Sequence, residues 1–187
     1  MLDKKLQCRT YEPRAYSKKY MIVLRTRRRF KMVNIEKKLK EMGLELPKVP
    51  MNMPNWARCK RAGNFIFMGT TGPWPLINRG EPEKMKGAIG REVTVEQGIE
   101  ICKMCALSML AALKNELGDL DKIDKIVKLE VYINGPVGDS DPYIKVADAA
   151  SELFIKLFGE NGRATRTATP NISNIAVELD MVVYVKD

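Results

Sequence analysis

Arg166 stands in the run Arg163-Ala-Thr-Arg-Thr-Ala-Thr169, where the period of two of a strand puts it on one side with Ala164 and Ala168, and the threonines on the other. Small neighbours leave a hollow with a guanidinium at its wall. A guanidinium fork holds a carboxylate through two parallel bonds, at about 1.5–3 kcal/mol for a charge-assisted contact. That chemistry selects small carboxylate-bearing molecules. The alternatives at this position are a solvated strand arginine or an ion-pair partner for Asp180. Glu178, on the last strand, is of the type that orients a water or passes a proton, with a plain solvated glutamate as its alternative. The loop Gly69-Thr70-Thr71-Gly72-Pro73 offers backbone N–H groups to an anion. It lacks the phosphate-loop pattern of Gly, four residues and Gly-Lys-Ser/Thr, and an ordinary turn accounts for it equally.

The residue types that are missing narrow the chemistry further. The 187 residues include no histidine, which removes the usual general base, every Ser-His or Cys-His nucleophilic pair and every imidazole metal ligand. Cys102 and Cys105 form a C-x-x-C, but inside a helical pattern and without a second such pair, so four-ligand zinc is not expected. Two small apolar residues on a buried helix surface explain them. No metal and no cofactor are expected, and chemistry is left to Arg, Glu, Asp, Lys, Thr, Tyr, the backbone and water. Four cysteines without a secretory signal point to a reducing compartment, and the expected localisation is cytoplasmic.

The net charge of +9 changes meaning once it is located. Residues 1–31 hold eleven of the 32 basic side chains and two of the 23 acidic ones, leaving 21 of each sign in residues 32–187. The body is neutral. Attraction to nucleic-acid phosphate is therefore expected only through the basic arm. The arm has no helical or alternating period, and its longest apolar run, Met21 to Leu24, is too short for a signal-peptide core or a membrane helix. Residues 1–31 read as a basic N-terminal extension, disordered on its own. It is a nucleic-acid or membrane-surface tail, a transit peptide, or sequence ahead of a start at Met32, the last being preferred. Residues 32–187 read as a single domain with no membrane association.

The elements that must position these residues follow from periodicity. Asn34 caps a short helix that ends at Gly43. A proline-rich linker leads to two strands, Ala57 to Arg61 and Asn64 to Met68, around a turn at Ala62-Gly63. Residues 69–90 read as loop, since Pro73 and Pro75 among glycines oppose regular pairing. Thr94 and Gln97 form a capping box ahead of a long amphipathic helix reaching Gly118. Val127, Leu129, Val131 and Ile133 alternate with polar residues as a half-covered strand. A second helix runs from about Pro142, with Val146, Ala150, Leu153, Phe154 and Leu157 on one face, and stops at Gly159. Two strands, about 164–169 and 175–185, close the chain. The class is α+β, two helices on one face of a mixed sheet. In the last strand Val177, Leu179, Met181, Val183 and Val185 face the helices. Glu178, Asp180, Val182 and Tyr184 face away, a plausible subunit interface holding a polar site.

From about Asn34 to Val185 the chain resembles the RidA family, the reactive-intermediate deaminases also called YjgF or L-PSP proteins, in the longer branch with an N-terminal helix. The matching runs are Arg61-Ala-Gly-Asn64, Gly72-Pro73, Gly90-Arg91, Thr94-Val-Glu-Gln-Gly98, Ala111, Glu116-Leu-Gly-Asp-Leu-Asp121, Phe158-Gly-Glu-Asn-Gly-Arg163, Arg166-Thr167 and Ala176-Val-Glu178. The resemblance implies a chorismate-mutase-like subunit in a homotrimer with three clefts between neighbours. It implies cofactor-free hydrolysis of enamines and imines such as 2-aminoacrylate or 2-iminopropanoate to a 2-oxo acid and ammonia, with Arg166 holding the carboxylate and Glu178 positioning water. An imine carbon is already electrophilic, so holding and aligning supply much of the catalysis. Members also serve as ligand-binding or regulatory proteins, and RNA binding or cleavage is attached to the family as well. Three departures stand out. Gly69-Thr70 replaces the branch's Ser-Gly, so a hydroxyl would come from Thr70 or Thr71. Asp148 replaces the Asn of the second helix and adds negative charge at a site for an anion. The turn between Arg166 and Glu178 is about three residues short, which leaves Arg163 as an alternative register.

Overall fold

Asn34 turns its side chain onto the first turn of α1 (Ile35–Glu41), accepting a hydrogen bond from the Lys37 N–H at 2.7 Å, and the helix buries Ile35 and Leu39. The computed structural model describes residues 34–136 and 140–186. The expectations for residues 1–31 lie outside the described residues. Beyond the proline-rich linker, β1 (Cys59–Ala62) and β2 (Phe65–Met68) pair antiparallel about Gly63, whose φ of +58° suits a residue without a Cβ. Each strand is one residue shorter than its pattern suggested.

Residues 69–90 are not all loop. A one-and-a-half-turn helix, α2 (Trp74–Asn78), starts directly after Pro73, and a 3₁₀ turn covers Pro82–Met85. The expectation failed because proline is excluded from helix interiors but not from the first turn, where its missing N–H would have no helical acceptor anyway. Pro75 occupies that first turn, and the Trp74 N–H finds Gly72 O and the Ser108 hydroxyl.

The long helix α3 (Val95–Leu117) has the expected capping box, with Thr94 Oγ1 accepting from Gln97 N–H and Gln97 Oε1 from Thr94 N–H. It ends at Gly118 in the left-handed conformation. Cys102 and Cys105 lie on its buried face, and burial pushes the Cys102 thiol up to about 12. The strand β3 (Ile123–Ile133) follows, then α4 (Asp141–Phe158), a 3₁₀ turn at Gly159–Gly162, β4 (Thr165–Pro170) and β5 (Val177–Val185). The strands form one sheet in the order β1-β2-β5-β3-β4, in which only β3 and β4 run parallel. The α+β mixed sheet is as expected.

In β3 one apolar expectation is corrected. Ile126, not Val127, is buried beside Leu129, Val131 and Ile133. Register shifts between Ile123 and Lys125 and between Ile126 and Lys128 reset the alternation, as a bulge does, so strict period two misassigns the upstream residues. In β5 the expected inward set, Val177, Leu179, Met181, Val183 and Val185, is fully buried against α3 and α4 together with Met109, Leu110, Phe154 and Leu157. The opposite face keeps Glu178, Asp180, Val182 and Tyr184 half-buried. Phe65 and Phe67 of β2 join that open face, the first packing edge-on to Tyr184 at 5.2 Å between centroids.

Candidate functional site

The edge strand β4 carries Arg166 on the helix-facing side of the sheet. It pairs with the buried Leu129 of β3, and Ala164 and Ala168 flank it against the core. Small flanking residues let the side chain reach α4, where Nη1 donates to Asp148 Oδ1 at 2.6 Å and to Ser151 Oγ at 3.1 Å. Asp148 and Ser151 are one helical turn apart, so they share a face. The side chain of Arg166 is 24% exposed and that of Asp148 49%. Arg166 is therefore neither freely solvated nor a partner of Asp180, which lies on the opposite face. Its Nε and Nη2 have no hydrogen-bond partner among the described residues and are not fully buried, so this second edge of the fork is left unpaired.

Glu178 occupies the open face, beside Tyr132 of β3, which in turn pairs with Thr169 of β4. Its Oε2 accepts from Asn171 Nδ2 at 2.9 Å and from Ser173 Oγ at 3.1 Å, both in the connection between β4 and β5. That connection, about three residues short by the resemblance, holds one oxygen of the carboxylate. Oε1 has no such partner among the described residues and is not fully buried. Arg166 lies three residues before Thr169 and two strands from Glu178. At about 3.3 Å per residue and 4.8 Å per strand this is about 10 Å along the sheet and about 10 Å across it, with the side chains on opposite faces. One protomer does not bring the two residues to a common small ligand. Arg163, the alternative register, is exposed and paired with Glu160.

The loop residues separate in a way periodicity does not show. Thr70 is exposed, whereas Thr71 is 1% exposed and its hydroxyl is engaged, accepting from Arg58 Nη1 at 2.8 Å and donating to Gly69 O at 3.1 Å. Of the two expected hydroxyls only that of Thr70 faces solvent. The Thr71 backbone bridges to Leu179, next to Glu178, which ties the loop to β5. Arg58 was missed by sequence reasoning: it is 3% exposed, donates Nε to Pro50 O at 2.7 Å, and lies 5.1 and 5.6 Å from the ring centres of Trp56 and Trp74. Burial holds its pKa below the ordinary value. The flanking Trp56 was the one available signal.

The open face beyond Glu178 has a strained charge balance. Glu130 and Asp180 are directly opposite across β3 and β5, and burial, then Glu130, pushes the Asp180 carboxyl up. Lys128 and the Tyr132 hydroxyl bond Glu130 and pull its pKa down, while burial and that bond push Tyr132 up to about 12. A groove of about 550 Å³ over the outer side of α3, floored by Leu76, Val93, Ile101 and Met104, includes none of the candidate residues.

Residues 36–185 match a family model described as "YjgF/chorismate_mutase-like, putative endoribonuclease". The chain belongs to the YjgF/chorismate mutase-like family. All six candidate residues fall within the matched span. Protein TCP17 of Trypanosoma cruzi is 31% identical over 151 residues, covering 78% of this chain and 90% of that protein. Two crystal structures share the YjgF fold at useful identity. Protein Atu1372 of Agrobacterium tumefaciens, described as of unknown function, is 29% identical with a TM-score of 0.71, covering 83% of this chain and 96% of that one. A protein of Shewanella oneidensis described as a putative endoribonuclease is 27% identical with a TM-score of 0.73, covering 81% and 99%. Among the described residues no helix is long and apolar enough to cross a membrane.

Proposed function

We propose that this YjgF-family chain hydrolyses small enamine or imine carboxylates without a cofactor, in clefts between the protomers of a homotrimer. The observation that carries this reading is the unpaired Nε/Nη2 edge of Arg166, a half-buried guanidinium on an edge strand. An edge strand is where a neighbouring protomer completes a cleft, and a free fork edge takes both oxygens of a carboxylate. Glu178, from across the subunit boundary, orients water through its unpaired Oε1. The water oxygen adds to the imine carbon while the nitrogen gains a proton. The hydroxyl of the resulting amino alcohol then loses its proton and the nitrogen gains one as the C–N bond breaks, so ammonia leaves and a 2-oxo acid remains. Thr70 lines the same cleft, and the substrate supplies its own electrophile, so placement and electrostatics carry the rate.

The test follows ammonia and 2-oxo acid release from 2-iminopropanoate generated in situ. Arg166→Ala is expected to lower kcat/KM by about 10–100-fold, the equivalent of one charge-assisted contact. A parent protein inert above the uncatalysed rate contradicts the reading, as does an unaffected variant.

A second reading, a cleft that holds a small carboxylate without turning it over, is favoured by Asp148, which already occupies one edge of Arg166. It predicts a carboxylate that raises Tm, stays intact, and loses its effect in Arg166→Ala. The endoribonuclease description of the family suggests RNA. Residues 32–187 carry no net charge, so the body supplies no net attraction to phosphate in support of that reading.

A further inference from the structure

We infer that copies of this chain meet over the outward face of β5 and that the contact takes up a proton at Asp180, so that assembly tightens in mild acid and loosens in base. The inference rests on the assembly part of the proposed reading, not on turnover.

Asp180 does not stay outside such a contact. Along β5 it lies between Glu178, which the proposed cleft uses, and Val182, which belongs to the apolar patch with Phe65, Phe67 and Tyr184. Successive outward residues of a strand are about 7 Å apart, so a surface that reaches both neighbours covers the carboxylate between them. A lone protomer already half-buries it.

The charges around Asp180 do not balance. On β3, Glu130 stands directly opposite, with Lys128 and Tyr132 as the outward residues on either side of it. Lys128 forms an ion pair with Glu130, and the Tyr132 hydroxyl donates to Glu130 Oε2 at 2.9 Å. Asp180 is left without a hydrogen bond or an ion pair among the described residues, and it faces a carboxylate. Its own strand adds only Glu178 and Tyr184. The outward positions of β2 hold Phe65 and Phe67, and those of β4 hold Thr165, Thr167 and Thr169, so neither strand supplies a cation there. Lys125, the next cation along β3, lies over the Tyr184 ring at 5.6 Å from its centre. One positive and two negative charges therefore leave an excess negative charge where assembly expels water.

Taking water from an unpaired carboxylate is costly, and a like charge opposite adds to the cost. Both penalties fall when Asp180 is protonated, because it then carries no charge and has an O–H to donate to Glu130. Burial and then Glu130 already push its carboxyl up in the single chain, and further loss of water in the contact pushes it higher. A carboxyl raised by association favours the assembled form below the separated chain's pKa. That gain is lost as pH rises through the assembled one's.

The experiment is sedimentation equilibrium of the full-length protein at about pH 5 and about pH 8, at one ionic strength and with the urea needed to bring dissociation into the measured range. The chain concentration at half-assembly is expected to be at least about tenfold higher at the upper pH. Asp180→Asn, which keeps the shape and removes the charge, should assemble at both pH values about as tightly as the parent does in acid. Glu130→Gln should also flatten the response, since it frees Lys128 for Asp180. Assembly that ignores pH, that is tighter in base, or whose pH response survives both substitutions overturns the inference. If Asp180→Asn fails to fold, the parent and Glu130→Gln decide. A single chain at both pH values overturns the inference together with the assembly it rests on. Imine hydrolysis by an assembly that ignores pH sinks this inference alone, whereas a pH-linked assembly without turnover sinks only the deaminase reading.

Discussion

At the scale of single residues, period two grouped Arg166 with Ala164 and Ala168, but neither the face of the sheet that this group occupies nor the partner of the guanidinium was readable. Asp148 lies on α4, and nothing local in Arg163 to Thr169 indicates that a helix carboxylate crosses to meet it. Thr71 shows the same limit. Its hydroxyl is captured by Arg58, and a fully buried arginine runs against the usual exposure of that residue type. Glu178 is held on one oxygen only, so Glu178→Gln keeps the geometry while changing the charge on the water-facing oxygen. We expect a fall in kcat of about 10–100-fold with KM little changed, read from steady-state kinetics. Glu36 offers a pH test remote from the cleft. Burial pushes its carboxyl up, but the 2.5 Å bond from Lys114 and the Leu120 N–H outweigh that, so its folded pKa lies below the ordinary value. A depressed carboxylate pKa stabilises the fold above the unfolded value, and the gain disappears as pH falls through the folded one. Glu36→Gln should therefore lower Tm by about 2–4 °C at neutral pH, and the gap to the parent should close in acid. A gap that persists at low pH contradicts this.

At the scale of elements, helix ends were legible because their signals are local: Asn34, the Thr94 capping box, Gly118 and Gly159 act within one turn of the chain. The bulges of β3 were not, since they arise from pairing with β5. The 3₁₀ turn that delivers the chain from α4 to β4 depends on a close approach invisible in the sequence. A Cβ on Gly162 would lie 2.1 Å from Phe154 O and 2.8 Å from Ile155 N, and backbone atoms cannot move aside as a flexible side chain can. Gly162→Ala should destabilise by about 2–3 kcal/mol and lower Tm by about 5–10 °C in thermal unfolding followed by circular dichroism. Because this turn aims β4, the loss of Arg166 function should exceed what the loss of folded protein explains. An unchanged Tm contradicts the packing argument.

At the scale of the whole molecule, the uncovered sheet face sets the expectation of assembly. Phe67 is 50% exposed beside Phe65, Val182 and Tyr184, an apolar patch that a lone protomer leaves in water. We expect a solution mass three times the 21.2 kDa of one chain by sedimentation equilibrium, with Phe67→Lys shifting it toward the single chain. In the proposed reading assembly also decides whether the site exists, because Arg166 and Glu178 lie on opposite faces of one sheet and would meet only where neighbours supply one each. The most direct test mixes Arg166→Ala and Glu178→Gln chains after co-refolding and measures imine hydrolysis. Each variant alone should be nearly inactive, whereas random mixing leaves about one cleft in four with both residues and restores about a quarter of parental activity. A mixture no more active than the two variants apart contradicts the account.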